Sequence, residues 1–344
     1  MLRPRVLILI KDNDGNLRYR FPLSVSVEVN SSFTEFTSNA IVELPNSFKV
    51  ENNYITKKIP IGSMIQIFMG YDQSSMVSEF EGYITKVNVS SSIVLMCEDV
   101  SWLYKQSSAG PIAQKATTLK KLIDKAVLNS NISIETPVFL RDIPIGDFST
   151  DKRATLIDVF SELKNKLKVF SYFQNGNMYV NYELDKTPGK VILLDMQGNV
   201  PSGSDNIEFE GGTDGSVVSH GVSVQEDGSK IELFAYYKDG FRGDIKVSEE
   251  QPKGVLNTFK RPKMTKAELT DLITDRLPNL WASRATGDVM TFGAPSVQHG
   301  DTARVSDLRY PERDGYYKIQ RVKKTLNVSN GFRQSITLGN KLTN

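Results

Sequence analysis

Gly300-Asp301-Thr302-Ala303-Arg304-Val305, then Asp314-Gly315-Tyr316-Tyr317-Lys318-Ile319, Val322 and Ser335-Ile336-Thr337-Leu338, form the stretch on which the fold turns, because a similar layout stands far upstream. There Gly62-Ser63-Met64-Ile65-Gln66-Ile67 leads to Glu81-Gly82-Tyr83-Ile84-Thr85-Lys86-Val87 and to Ile93-Val94-Leu95-Met96. Each copy reads turn glycine, strand, acid-Gly-Tyr, long strand, turn, closing strand. Glycine enters turn conformations closed to other residues, and tyrosine suits the start of a half-buried strand. A true repeat places two similar β-barrels in one chain. Two unrelated β units sharing hairpin grammar would produce the same pattern, and the residues leave both readings open.

Working outward, the first hundred residues read as strands. Val6 to Ile10 precedes the turn cluster Asp12-Asn13-Asp14-Gly15, whose Asp-Gly pair tolerates positive φ. Leu23, Val25, Val27 and Val29 alternate with polar residues between Phe21 and Asn30, the period of a half-buried strand. Asn39 to Leu44, Met64 to Met69, Glu79 to Val89 and Ile93 to Cys97 continue the series. Near residue 111 the period changes. Leu119, Leu122, Ile123, Ala126 and Val127 have helical spacing behind Thr117 and Thr118, either of which can cap the helix. Leu156, Val159, Phe160, Leu163 and Leu167 predict a second helix, and Asn175-Gly176 between two apolar runs predicts a hairpin.

A Gly/Ser/Asp-rich boundary from Gly198 to Ser216 precedes strand patterns at Val217 to Val224 and Ile231 to Tyr237. Thr265 and Glu268 form a capping-box pattern before Leu269, Leu272, Ile273 and Leu277, with Pro278 expected to kink or stop the helix. Strands close the chain at Thr302 to Val305, Tyr316 to Val328 and Phe332 to Leu338. The fold class is therefore mainly β with an α+β insertion: two related β-barrel domains, a small α+β domain and a helical segment. The expected boundaries are 1–110 for the first barrel, 111–200 for the α+β domain, 201–260 with 286–344 for the second barrel, and 261–285 for the helical segment.

Composition narrows function by exclusion. In 344 residues, 42 Lys+Arg face 40 Asp+Glu, for a formal charge of +2, so the total gives no electrostatic reason to bind DNA or anionic lipid. Cys97, His220 and His299 are the only thiol and imidazoles, which excludes an internal disulfide and a Cys/His zinc cluster. The apolar run Val6–Ile10 is too short for a signal peptide core or a membrane span. No metal and no cofactor are expected.

Enzyme signals are poor: nucleophile elbow, phosphate-loop, dinucleotide and metalloprotease motifs are all missing. His299 reads as a surface or turn residue, His220 as an ordinary strand residue and Cys97 as a small buried apolar side chain. Asp12/Asp14, Glu79/Glu81 and Glu249/Glu250 read as turn and solvated-face carboxylates. Gly211 to Ser216 reads as a flexible loop. The basic clusters Lys260-Arg261-Pro262-Lys263 and Lys318/Arg321/Lys323/Lys324 read as solvated faces. Tyr71, Phe80, Tyr83, Tyr236, Tyr237, Phe241, Tyr310, Tyr316 and Tyr317 read as core or barrel-rim aromatics.

The layout resembles the tail hub proteins of phages and contractile injection systems: the late control protein D family, the baseplate hub of Mu-like phages and the amino-terminal hub part of VgrG spikes. The carrying segments are Ile61 to Tyr71, Glu79 to Ile84, Thr118-Leu119, Ala154 to Phe160, the hairpin at Asn175-Gly176, and the closing run from Gly287 through Gly300-Asp301 and Gly315-Tyr316 to Gly331–Gly339. The resemblance implies a homotrimer whose six barrels form a pseudo-sixfold ring between the tail tube protein and the spike protein. A tape-measure protein is a further partner. It implies no membrane binding by the chain itself, DNA only in transit through the lumen, synthesis in the host cytoplasm and residence in the virion tail. Ending at Asn344 without a needle repeat or lysozyme-like extension, the chain is expected to leave spike and hydrolase functions to separate polypeptides. Gly62, Tyr71, Gly82, Tyr83, Gly300, Asp301, Gly315 and Tyr316 become candidate structural turn or subunit-interface positions. The competing classes are a β-rich tail-tip adhesin for host glycan and a tail-associated cell-wall hydrolase.

Overall fold

The computed structural model describes residues 3–12, 14–46, 49–50, 53–54, 59–72, 75–130, 139–185, 189–201, 205–210, 217–238, 243–281 and 284–342. Asn13, residues 202–204, the loop 211–216 and Phe241 lie outside the described residues. The fold is mainly β, with short helices between the two strand-rich ends of the chain.

The amino-terminal part holds β1 (Pro4–Lys11), β2 (Leu17–Phe21), β3 (Ser26–Ser32), β4 (Asn39–Pro45), β5 (Lys49–Val50), β6 (Asn53–Tyr54), β7 (Met64–Tyr71), β8 (Val77–Val89) and β9 (Ser92–Glu98). Apart from the small β5/β6 ribbon, these strands pair antiparallel in the order β2-β1-β7-β8-β9-β4-β3. Their alternate residues point to one core: Ile8, Ile10, Val27, Val29, Val42, Leu44, Ile65, Ile67, Ile84, Ile93 and Leu95 are buried together, as a period of two requires. The strand expected from Phe21 to Asn30 is broken. Pro22 has no N–H for the ladder, β2 ends at Phe21, and Leu23 and Val25 are exposed before β3 begins.

The middle of the chain carries α1 (Ser101–Lys105), β10 (Ala113–Thr118), α2 (Leu119–Asn129), β11 (Phe139–Leu140), β12 (Pro144–Ser149), α3 (Leu156–Glu162), β13 (Phe170–Gln174) and β14 (Asn177–Asn181). Thr118 caps α2 by accepting a hydrogen bond from the Lys121 N–H. α3 opens with a capping box between Thr155 and Asp158 and runs on as a π-helical turn, Leu163–Leu167, ended by left-handed Lys168. Asn175 (φ 52°) and Gly176 (φ 77°) make the tight β13–β14 turn.

The rest contains β15 (Val191–Asp195), β16 (Asp205–Glu210), β17 (Val217–Val224), β18 (Lys230–Tyr237), β19 (Ile245–Ser248), β20 (Val255–Pro262), α4 (Lys266–Trp281), β21 (Arg284–Phe292), β22 (Thr302–Ser306), β23 (Gly315–Asn327) and β24 (Gly331–Lys341). The second roll is ordered β16-β21-β24-β23-β22-β15. Long β23 belongs to both rolls: residues 315–318 pair with β22, and residues 321–327 pair with β3. One hydrogen-bonded sheet therefore runs through both.

Sheet pairing corrects the grouping of 201–260 with 286–344. Among the described residues, only β16 of the earlier segment joins the second roll. β17 to β20 form a separate four-stranded sheet covered by α4, and Leu233, Ala235, Phe259, Leu269 and Ile273 share a core with Leu122, Leu156 and Phe160 of the middle segment. The reason is local: Gly221 on β17 presents no Cβ, and one there would meet the Ile273 and Leu269 side chains at 2.6 and 2.8 Å, so only glycine lets α4 settle onto the sheet. α4 continues through Pro278 to Trp281 without the expected early stop. Near its end, the Asn279 amide donates to the Asp275 carbonyl at 3.3 Å.

Candidate functional site

The two turn glycines that open the repeated layout are built alike. Gly62 has φ +89° and Gly300 has φ +84°, left-handed conformations that favour glycine. Gly62 N–H donates to the Ile84 carbonyl at 2.8 Å, and Ile84 N–H returns a bond to the Ser63 carbonyl at 3.0 Å. Gly300 N–H donates to the Ile319 carbonyl at 2.8 Å, and Ile319 N–H returns a bond to the Asp301 carbonyl at 2.9 Å. Immediately afterwards both long strands carry a register shift against their closing strands, between Ile84 and Lys86 on β8 and between Ile319 and Arg321 on β23. The repeat is therefore real in the backbone. β7, β8, β9, β4 and β3 correspond to β22, β23, β24, β21 and β16, while β1 is antiparallel to β7 where β15 is parallel to β22.

Register also corrects the sequence alignment. Met64 pairs with Tyr83 and Thr302 with Lys318, so Tyr83 corresponds to Lys318, and Gly82 to Tyr317. The two acid-Gly-Tyr triplets are two residues out of step. A slip of two keeps every side chain on its own face, so the apolar pattern could not reveal it.

Each candidate position has a specific place. A Cβ on Gly82 would lie 2.1 Å from the Glu98 carbonyl oxygen, so the β8–β9 approach demands glycine. Tyr83 stacks on Trp102 of α1 with ring centroids 5.4 Å apart, and Trp102 also covers Gly62. Tyr71 is buried: its hydroxyl donates to the Phe332 carbonyl at 2.7 Å and accepts from Gly293 N–H at 3.3 Å, tying β7 to the second roll. Gly300 lies against Tyr172 and Gln174 of the β13–β14 hairpin. Gly315 (φ +148°) lies under Lys341, and half-buried Tyr316 has the Arg304 guanidinium 5.9 Å from its ring centroid. Gly300 and Asp301 thus meet the hairpin, Tyr71 meets β24, Gly62 and Tyr83 meet Trp102 of α1, and Gly82, Gly315 and Tyr316 stay within their own rolls.

A polar joint gathers around Asp301. Its carboxylate accepts from Lys190 N–H at 3.0 Å, Gln298 N–H at 3.0 Å and the Gln174 amide at 3.4 Å. His299 is buried, contrary to its reading as a surface or turn residue, because the hairpin docks on this turn: its Nε2 meets the Phe173 carbonyl at 2.8 Å. Burial pushes its pKa down to about 4, so the ring is neutral and Nε2–H is the donor. Lys318 is also buried, and desolvation lowers its ammonium pKa to about 8 against the pull of Asp301, Glu183 and Asp185. Deeper still, Lys324 of β23 pairs with Glu79 of β8, whose side chain is wholly shielded and also accepts from the Ser296 hydroxyl at 2.9 Å. Burial raises Glu79 and lowers Lys324.

These contacts overturn the solvated-face readings of Glu79, Lys318 and Lys324; Arg261 of the other basic cluster is likewise buried, donating from Nε to the Ile145 carbonyl at 2.6 Å. A signal was present for Lys324, since Val322, Lys324 and Leu326 share the inward period. Cys97 is buried as expected, and His220 sits on β17 stacked against Phe234 at 4.4 Å. Chemically the joint is a lock: carboxylates, a lysine, an imidazole and backbone groups bond one another across three units. Among the described residues no group of three or more His, Cys, Asp or Glu is placed to hold a metal ion.

This pair of rolled sheets sharing one long strand, with an α+β unit docked on the joint, is a tail-hub-like fold. The chain aligns over 98% of its length with 96% of a tail protein from Neisseria meningitidis MC58, at TM-score 0.63 and 12% identity. A 43 kDa tail protein of prophage MuSo2 from Shewanella oneidensis aligns with 97% of each chain covered, TM-score 0.58 and 12% identity. The E. coli c3393 protein, a component of the type VI secretion system, aligns over 93% of this chain and 74% of its own, at TM-score 0.54 and 9% identity. No protein-family model matches the sequence, and no curated protein matches it.

Proposed function

We propose that the chain is a structural tail hub: three copies form a pseudo-sixfold ring that joins the tail tube to the spike, within the virion tail and without catalysis. The carrying observation is the backbone repeat. Two rolls with the same turn, bulge and strand order within each subunit give six similar units from three chains, which is how a threefold assembly presents an approximately sixfold face. The continuous sheet and the Asp301 and Glu79–Lys324 joints support a load-carrying part. In this reading 1–110 is the first barrel and 111–185 the core of the α+β domain. The second barrel takes 286–344 with β15 and β16, and 217–285 adds its sheet and α4 to the α+β unit.

Edge strand β15, paired only with β22 among the described residues, exposes Val191 and Leu193 by 61% and 51%. An exposed apolar sheet edge is the kind of surface another copy covers. The ring's partners are itself, a tail tube protein, a spike protein and a tape-measure protein, with DNA passing through the lumen. Electron micrographs of the purified chain test this: six-lobed rings are expected, and Leu193→Glu is expected to disperse them. Isolated single chains in the unsubstituted protein would overturn the reading.

A further inference from the structure

A pocket of about 410 Å3 opens between the π-helical turn, β20 and α4, on the face of the α+β unit. Its lining includes four cations, Lys166, Lys168, Lys260 and Arg276, together with Asn257 and Thr258, whose hydroxyl meets His220 Nδ1 at 2.9 Å. Arg276 is the unusual member. It is 2% exposed, yet among the described residues no carboxylate lies within ion-pair distance. One terminal nitrogen donates to the Asn257 carbonyl at 3.1 Å, the other to the Asn257 side-chain oxygen at 2.6 Å, and the guanidinium carbon lies 4.7 Å from the Phe259 ring centroid. Its Nε–H is buried without an acceptor. A buried guanidinium offers five N–H donors and holds its charge at neutral pH, so leaving it uncompensated is costly.

Glu162, the ion-pair partner of Lys166 at 2.8 Å, is shared with Arg261 at 3.5 Å, and Asp275, next to Arg276 in the chain, pairs with Arg141 at 2.5 Å. Lys166 and Lys260 are exposed at the rim, Lys166 in an ion pair with Glu162 that a more highly charged anion would compete for. Buried arginine at the base, lysines at the rim and a neutral amide between them suit a multiply charged oxyanion. The Asn257 contacts hold the guanidinium plane in place for such a ligand.

We propose that this pocket binds a phosphate-bearing small anion, with Arg276 as the buried anchor and Lys166, Lys168 and Lys260 neutralising the outer charge. The site lies apart from the Asp301 and Glu79–Lys324 joints and does not depend on the ring. Isothermal titration of the full chain with inorganic pyrophosphate at low ionic strength is the test. One-to-one saturable binding is expected, weakened about tenfold by Lys260→Gln and again by Lys166→Gln, and unchanged by Lys120→Gln on α2. Arg276→Lys should weaken it further; should that variant fail to fold, the two rim variants carry the test. No saturable heat, or equal affinity in the rim variants and Lys120→Gln, would overturn the proposal. So would binding of a glutamate-rich peptide without binding of pyrophosphate, since that would assign the pocket to an acidic protein.

Discussion

The two rolls share a backbone and part company in their side chains. At the turn, Gly62-Ser63 and Gly300-Asp301 make the same pair of backbone bonds to Ile84 and Ile319. Yet the preceding residue is exposed Ile61 in one roll and buried His299 in the other, and Tyr83 stands where Lys318 stands. What docks on each turn decides the difference. α1 lays Trp102 over the first turn, so an aromatic stack serves there. The β13–β14 hairpin brings peptide groups and Gln174 to the second, so a carboxylate, an imidazole and an ammonium serve there. The repeat therefore conserves geometry that strand pairing needs, while chemistry follows the neighbour.

Substitutions at paired positions sharpen that contrast. Gly82→Ala should have the largest effect, more than about 4 kcal/mol of unfolding free energy, because the new methyl meets the Glu98 carbonyl oxygen. The matching position holds Tyr317, whose ring is accommodated in its own roll. A urea unfolding midpoint equal to that of the parent would show that the two strands are not held at the described separation.

Lys324→Met, which leaves the shielded Glu79 carboxylate without its ammonium, should cost about 4 kcal/mol. Adding Glu79→Leu should recover much of it, because an apolar pair at the joint no longer strands a charge. Failure of the second change to recover any stability would mean that the pair is not what links β8 to β23.

The His299 turn should make stability depend on pH where the Ile61 turn cannot. Its pKa is about 4 when folded and about 6.5 in the unfolded chain. Between those values the unfolded state binds more protons, so stability is full above about pH 6.5 and falls by about 3 kcal/mol as pH drops to about 4. Lys318 and Lys324 both face the ring and push its pKa further down, and Lys318, with a pKa of about 8, keeps its charge throughout that window. In His299→Gln, which keeps a donor for the Phe173 carbonyl, this contribution to the slope should vanish; an unchanged slope would contradict the buried neutral imidazole.

At the smaller end, Asp301→Ala should cost about 2 kcal/mol by leaving the Lys190 and Gln298 N–H groups without their acceptor, against about zero for Ser63→Ala at the matching site. Equal losses at both positions in urea unfolding would remove the distinction between the turns.

Much of this contrast was legible before the structure, and its gaps have physical causes. Strands with clean alternation, such as Met64–Tyr71 and Gly331–Lys341, announced themselves. Ala113–Thr118 did not, because a polar strand in a two-stranded ribbon has no apolar face to alternate. Arg284–Phe292 was hidden by Gly287, which has φ +101° within the register shift against β24 and where a Cβ would collide with the Asn206 carbonyl. The turn glycines Gly62 and Gly300 were found by their spacing. The joint was not, since the partners of Asp301, His299 and Lys324 come from segments far apart in the chain and only tertiary packing brings them together.

The central claim, that the repeat serves a threefold ring, is tested most directly by the molar mass of the purified chain in solution by light scattering at micromolar concentration. The account predicts three chains per particle, falling to one in Leu193→Glu. A stable single chain at that concentration would contradict it.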